Sequence, residues 1–347
     1  MSPAAQPPEV TRARRPTLNA VAARAGVGRG TVSRVINGSP KVSPQARAAV
    51  EKAIAELGYV PNRAARSLVT SRTDSIALVV PESETRLFSE PYFSAIIRGV
   101  SSGLADSDMQ LLLVLVRDES ERARLATYLT EQRVDGVLMV AVHRDDTLPD
   151  LLAERAIPTV LAGRRGAEEP LGHVRADNEG GARAAVRHLL DGGRRTIATI
   201  TGPLDMDVAR GRLDGYRNAL HAAGVVADEG LVAAGDFTED GGRAAMRELL
   251  RRRPGLDAVF AASDVTASGA ILELRAAGRR IPDDVAVIGF DDSIVARHTD
   301  PPLTSVRQPI EEMGHRMAKL LLDEIAQFGT GRQEVVLPTR LVVRQSA

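Results

Sequence analysis

Cysteine and tryptophan are both absent from the 347 residues, and aromatic side chains make up only 3% of them. Without cysteine there can be no disulfide, thiolate metal site or cysteine nucleophile, a composition that suits a reducing cytosol. The six histidines are scattered without metal-ligand spacing, so neither a metal nor another cofactor is expected. The motif GxxxxGK[ST] is missing, and GxSxG occurs once, as GVSSG (99–103). Gly26, Gly28 and Gly30 follow a helical pattern instead of a strand, which argues against a nucleotide loop and against an enzyme. No apolar run reaches the roughly 18 residues of a membrane span, and residues 1–16 lack the apolar centre of an export signal. These absences lead to the expectation of a cytoplasmic protein without a membrane partner.

Net charge is also lacking overall, at +0, but its distribution is uneven. Residues 1–72 carry twelve Lys/Arg and three Asp/Glu, a net +9, so the remainder carries −9. A basic head on an acidic body is the electrostatic footprint of a nucleic-acid-binding module joined to a part that stays off DNA.

Within that head, TLNAVAARAGVGRGTVSRVIN (17–37) spells two short helices around a glycine turn. The first starts at a Thr17 cap, buries Leu18, Val21 and Ala22, and stops at Gly26. The second spans about Arg29 to Ile36, with Val32, Val35 and Ile36 inward and Arg29, Ser33 and Arg34 outward. A third has Ser43 at its cap, Pro44 at its first position and Gly58 just past its end. Residues 1–16 read as a disordered tail, 17–61 as a helix-turn-helix DNA-binding domain, and 62–74 as a short helical segment and linker. NRAARSL (62–68) is too short to be a stable helix without a partner.

From Ser75 the texture changes to continuous apolar runs alternating with amphipathic helices: 76–81, 111–116, 136–142, 158–163, 196–203, 231–236, 258–263 and 285–292. Runs of this kind belong to parallel strands covered on both faces, which predicts an α/β core (75–345) of two lobes with doubly wound parallel sheets. The segment 334–344 is expected to complete the sheet of one lobe. Ligands in open α/β sheets bind beyond the carboxyl ends of the strands, which directs attention to Glu82, His143, Arg164, Ser263, Asp264, Asp291 and Asp292.

Four blocks in order, VAARAGVGRGTVSRVINGSPKVSPQARAAV, AELGYVPNRAARSL, IPDDVAVIGFDD and DPPLTSVRQP, resemble the LacI/GalR family of bacterial transcriptional regulators over about residues 16–344. GVGRGTVSRVING, LFSEPYF and VHRDDTLPDLL narrow the likeness to actinomycete repressors of cellobiose and cello-oligosaccharide utilisation, the CebR and CelR type. The resemblance implies a helix-turn-helix head, a hinge helix and a two-lobed periplasmic-binding-protein-like core. Its partners would be a palindromic operator in double-stranded DNA, a small saccharide effector and a second copy of the chain. Arg29 and Arg34 would read guanine edges, since a guanidinium pairs bidentately with O6 and N7. Gly30 stands where many relatives carry a larger side chain, leaving room for Arg29 to swing or for the helix to sit closer. Thr17, Thr31, Ser33 and Asn37 match the family's phosphate and groove contacts. In the hinge, Leu68 would be the wedge that parts the central base step, with Ala65 beside it and Asn62 near the backbone. A CG centre between G-rich arms would be the easiest step to open.

A neutral sugar needs charged hydrogen-bonding groups and aromatic platforms. The resemblance assigns the first role to Asp291, Arg212, Ser263 and Asp264. With no tryptophan, it assigns the second to Phe237 and Phe88, with Phe93 as a neighbour. Glu82 and His143, near strand ends, complete the candidates. Plainer roles stand beside these: Asp291 and Asp292 as helix caps, Phe93 as core, His143 as a solvated side chain. Sugar would close the cleft and disfavour hinge pairing. The residues after Val343 carry no leucine heptad, which favours a dimer over a tetramer. The open alternatives are another glucoside, a purine-type corepressor, and a sugar-binding protein without gene regulation.

Overall fold

The computed structural model describes residues 16–36, 38–59, 72–327 and 332–347. Asn37, Asn62, Ala65 and Leu68 lie outside them. The chain divides into two units, residues 1–73 and 74–347.

In the first unit, helices α1 (Leu18–Ala25), α2 (Arg29–Ile36) and α3 (Pro44–Leu57) form where the sequence signals place them. The Thr17 hydroxyl accepts the Ala20 N–H at 3.2 Å, and Gly26 ends α1 at φ 65°. Ser43 caps α3 in the same way, and Gly58 ends it at φ 59°. The three helices share one small core, in which Val21, Val32 and Val50 are fully buried. Each such valine contributes about 2 kcal/mol relative to an exposed one. Arg24 pairs with Glu56 at 2.6 Å between α1 and α3, an exposed bridge worth little by comparison.

The second unit consists of two six-stranded sheets. Lobe 1 orders its strands β11-β5-β4-β3-β1-β2: β1 (Ser75–Val80), β2 (Gln110–Leu115), β3 (Gly136–Met139), β4 (Thr159–Ala162), β5 (Gly172–Ala176) and β11 (Glu334–Leu337). Lobe 2 orders them β12-β10-β9-β8-β6-β7: β6 (Ile197–Ile200), β7 (Val232–Ala233), β8 (Ala258–Ala261), β9 (Ala286–Asp291), β10 (Thr304–Arg307) and β12 (Arg340–Val342). All pairings are parallel except β10 with β12. Strand β1 shows why its run is continuous: Ile76, Leu78 and Val80 enter one core cluster and Ala77 and Val79 another, on alternate faces of the sheet.

The helices of lobe 1 are α4 (Glu84–Ser89), α5 (Pro91–Leu104), α6 (Glu119–Thr130), α7 (Leu148–Glu154) and, after the chain has passed through lobe 2, α13 (Ile310–Ala326). Those of lobe 2 are α8 (Asn178–Asp191), α9 (Asp207–Ala222), α10 (Glu239–Arg252), α11 (Asp264–Ala276) and α12 (Ile294–His298). Helices α5 and α13 approach so closely that a Cβ on Gly99 would stand 2.1 Å from the Glu311 carbonyl oxygen.

Two strands escape the sequence reading. Gly172–Ala176 carries His173 and Arg175 and so lacks an apolar run, while Thr304–Arg307 is polar yet buried. The expectation for 334–344 is corrected. Pro338 follows β11, and the segment divides into one strand in each lobe, a third crossover after those at 176–178 and 307–310.

Candidate DNA-reading head and effector cleft

Helix α2 turns Val32 and Val35 into the core of the head, and the helical period then leaves Arg29, Gly30 and Arg34 exposed. Thr31 and Ser33 are half-buried on its flanks. The structure sets Arg34, not Arg29, against Gly30: its Nε donates to the Gly30 carbonyl at 3.2 Å, and Nη2 would lie 3.7 Å from a Cβ at that position. Thr17 uses its hydroxyl oxygen as a helix cap, which leaves the hydroxyl hydrogen available to a phosphate.

In the second unit a cleft opens at the carboxyl ends of the strands of both lobes, with about 910 Å³ of empty space when its open mouth is included. Lobe 2 supplies a buried polar cluster. Arg212, on α9, lies with its guanidinium 3.8 Å from the Phe290 ring centroid. Its Nε donates to Asn178 Oδ1 at 2.9 Å and Nη1 to the Ala262 carbonyl, leaving Nη2 facing Asp291 Oδ1 at 3.7 Å. Burial lowers the pKa of Arg212 and Asp291 opposes that shift, and a guanidinium stays cationic throughout. Asp291 ends β9 with φ 107° and accepts from Gln308 Nε2 at 2.6 Å. Burial pushes its pKa up to about 6, with Arg212 and Gln308 pulling the other way. Phe237 holds φ 68° and lies with its ring 5.8 Å from the Arg212 guanidinium. Strained positive-φ residues at a cleft are a common mark of a ligand clamp.

Lobe 1 faces this cluster with Glu82, Arg86, Glu90, Tyr92 and Phe93. Phe93 is both core and wall: it is buried, and its ring meets Tyr92 edge-on at 5.4 Å. Arg86 bridges Glu82 at 2.9 Å and Glu90 at 2.6 Å. Burial raises the pKa of Glu82, and that of Glu90 to about 7, against the pull of Arg86. Carboxylates, guanidinium groups and aromatic rings around one cavity can bind a neutral polyhydroxylated ring through charge-assisted hydrogen bonds and stacking.

Of the expected effector residues, the cavity brings together Glu82, Phe93, Arg212, Phe237, Ser263 and Asp291. Three others are corrected. Phe88 is 82% exposed, because α4 turns Arg86 toward the cavity and Phe88 away. His143 lies outside the lining and contacts Asp205 at 2.6 Å. Asp264 is fully buried, accepting from the Ser305 hydroxyl and the Ser293 N–H, and so braces β10 and the residues after β9. Ser263 lines the cavity but also caps α11, accepting the Thr266 N–H at 3.1 Å. Neither Asp291 nor Asp292 caps a helix; Asp292 is a buried anchor for Arg307 and Arg344. Arg86, Glu90, Tyr92, Asn178 and Gln308 went unrecognised. Tyr92 could have been found from its place beside Phe93, and Gln308 from its place one residue past a strand, had β10 been visible. Among the described residues no group of three potential metal ligands occurs, and no helix is long and apolar enough to cross a membrane.

Gly202 gives a test of the stacking platform. A Cβ there would stand 2.1 Å from Cζ of Phe237, whose ring can swing aside. Gly202→Ala is expected to leave the melting temperature within a few degrees while weakening saccharide affinity by about tenfold, the value of one lost aromatic contact. A thermal scan checks the first and calorimetric titration the second.

Comparison with known proteins sets this geometry in a family. Residues 17–62 match the model of bacterial regulatory proteins of the lacI family, and residues 186–347 match that of the periplasmic binding protein-like domain. The chain is 56% identical over 337 residues to the HTH-type transcriptional regulator CelR of Thermobifida fusca, covering 96% of this chain and 99% of CelR. The chain belongs to the LacI family of bacterial regulatory proteins.

Solved structures of LacI-family members agree. A CelR–cellobiose complex aligns with a TM-score of 0.77 at 53% identity, over 96% of this chain and 100% of that one. The lac repressor dimer bound to operator and the anti-inducer ONPF aligns with a TM-score of 0.84 at 27% identity, over 96% and 99%. The two units therefore correspond to a LacI-type DNA-binding head and an effector core.

Proposed function

We infer that this LacI-family chain represses sugar-utilisation genes as a homodimer on a palindromic operator, and that cellobiose or a short cello-oligosaccharide releases it. The observation that carries the reading is the near-full-length similarity to CelR of Thermobifida fusca and to a solved CelR–cellobiose complex. The cleft supports it: Asp291, Arg212 and Gln308 offer acceptors and donors for vicinal hydroxyls, and Phe237 offers a ring face. In this reading residues 17–61 read the operator, 62–74 form the hinge and linker, and 75–345 bind the effector and dimerise. Arg29 and Arg34 read bases; Thr17, Thr31, Ser33 and Asn37 hold phosphates and the groove; Asn62, Ala65 and Leu68 act at the minor groove. The chain works by binding alone and is not an enzyme. By linkage, the factor by which saccharide prefers the closed core equals the factor by which operator affinity falls.

Calorimetry with cellobiose, longer cello-oligosaccharides, other glucosides and purines tests the effector. Binding of cellobiose or cellotriose with a dissociation constant in about the micromolar range is expected. Binding of only a purine, or only another glucoside, would replace the effector.

A further inference from the structure

Arg86 bonds to both lobes at once. Its Nη1 and Nε hold Glu82 and Glu90, both of lobe 1, and its Nη2 donates at 2.9 Å to the backbone carbonyl of Asp236 in lobe 2. Asp236 directly precedes Phe237, the residue of the cleft whose backbone is strained at positive φ. It also follows β7, the edge strand farthest in sheet order from β10 and β12, where the chain passes between lobes. The lobes touch elsewhere, through His143 with Asp205 at 2.6 Å and Arg164 with Asp207 at 3.0 Å. The Arg86 bond differs in that the same guanidinium fixes two carboxylates lining the cavity.

We propose that Arg86 is a positioning residue that makes closure of the cleft and orientation of Glu90 toward the saccharide a single event. The inference rests on the reading of the cleft as a saccharide site. A planar guanidinium serves three acceptors in fixed directions at once, which a lysine ammonium on a flexible stem does not reproduce. When the lobes part, the Asp236 carbonyl leaves and the guanidinium keeps only its two carboxylates. When they meet, Glu90 is held facing Asp291 of the other lobe. Around Glu90 stand Arg86 and Glu82 from its own segment, Tyr92 from the start of α5, and Asp291 from the end of β9. Burial, Glu82 and Asp291 all favour its neutral form against the pull of Arg86, which places its titration at about 7. Saccharide hydroxyls donated to Glu90 favour the carboxylate, so binding releases a proton near neutrality and affinity rises with pH across that range.

The test uses the full chain. Because it contains no cysteine, Asp106→Cys on lobe 1 and Val226→Cys on lobe 2, both strongly exposed, accept one spin label each. Label distances are measured with and without saturating cellobiose, and cellobiose affinity is measured calorimetrically from about pH 6 to about pH 8. The unsubstituted Arg86 protein should shorten its label distance with cellobiose and bind more tightly as pH rises. Arg86→Lys should bind about tenfold or more weakly, lose the rise near neutrality and show no cellobiose-dependent shortening. Glu90→Gln, with Arg86 intact, should still close but lose the pH dependence. Arg86→Lys closing and binding with an unchanged pH profile would overturn the proposal, as would a Glu90→Gln variant that keeps the rise. Failure of the Arg86 protein itself to bind cellobiose at any pH would instead overturn the effector reading.

Discussion

Asp291→Ala is expected to yield a repressor that holds its operator and no longer answers to saccharide. The carboxylate is one of the few charged acceptors in the cavity, held by Gln308 at 2.6 Å and facing Arg212 at 3.7 Å. A hydrogen bond to a charged group is worth about 1.5–3 kcal/mol, so losing two from a pair of sugar hydroxyls weakens binding by about a hundredfold or more. Calorimetry should find cellobiose binding reduced by that factor or lost, while a gel-shift titration finds operator affinity within about twofold of the parent. Normal release by cellobiose would remove Asp291 from the site.

The same carboxyl carries a pH signature. Burial raises its pKa from 3.8 to about 6, so it favours folding below its unfolded pKa, and that stability is lost as pH rises through about 6. Asp291→Asn should therefore raise the melting temperature of the saccharide-free protein at about pH 8 and have little effect at about pH 4. A group that costs stability where the protein works is one kept for binding.

Arg34→Ala carries the second large expectation. Arg34 stands exposed on α2, where its Nε donates to the carbonyl of Gly30, so releasing it to a guanine costs one exposed hydrogen bond. The loss should be about 1–3 kcal/mol and concentrated at one base pair of each half-site, with cellobiose binding unchanged. Operators substituted singly through the half-site, measured at one salt concentration, separate the cases. A uniform loss across all of them, with a shallower salt dependence, would mark Arg34 as a phosphate contact.

The head was the most legible part of the chain because its signals are local. Thr17, Gly26, Ser43, Pro44 and Gly58 each act within a few residues of themselves, and each start and stop they imply occurs. The strands with continuous apolar runs, such as β1, were equally readable, because burial on both faces leaves no polar interruption. Strand β10 was hidden for the opposite reason. Thr304 and Ser305 look like loop residues until Asp264, Asp292 and Ser346 supply their partners from 13 to 42 residues away. Missing β10 also hid Gln308.

In the cleft, residue types were legible and directions were not. Phe88 and Arg86 are two residues apart on one short helix, which sends one outward and the other into the cavity. Asp264 and Asp291 both follow or end core strands, yet Asp264 turns inward to brace the backbone and Asp291 meets Arg212. Glu90 was passed over because nothing in its neighbours announces that Arg86 and a residue of the opposite lobe converge on it.

The central claim is that a saccharide bound in the core loosens the grip of two protomers on one palindrome. Fluorescence anisotropy of a labelled palindromic duplex, titrated with the full chain and then with cellobiose at constant salt, tests it most directly. The account predicts saturation at two protomers per duplex and release as cellobiose is added, with other saccharides far less effective. Saturation at one protomer per duplex, or an affinity indifferent to every saccharide, would contradict it.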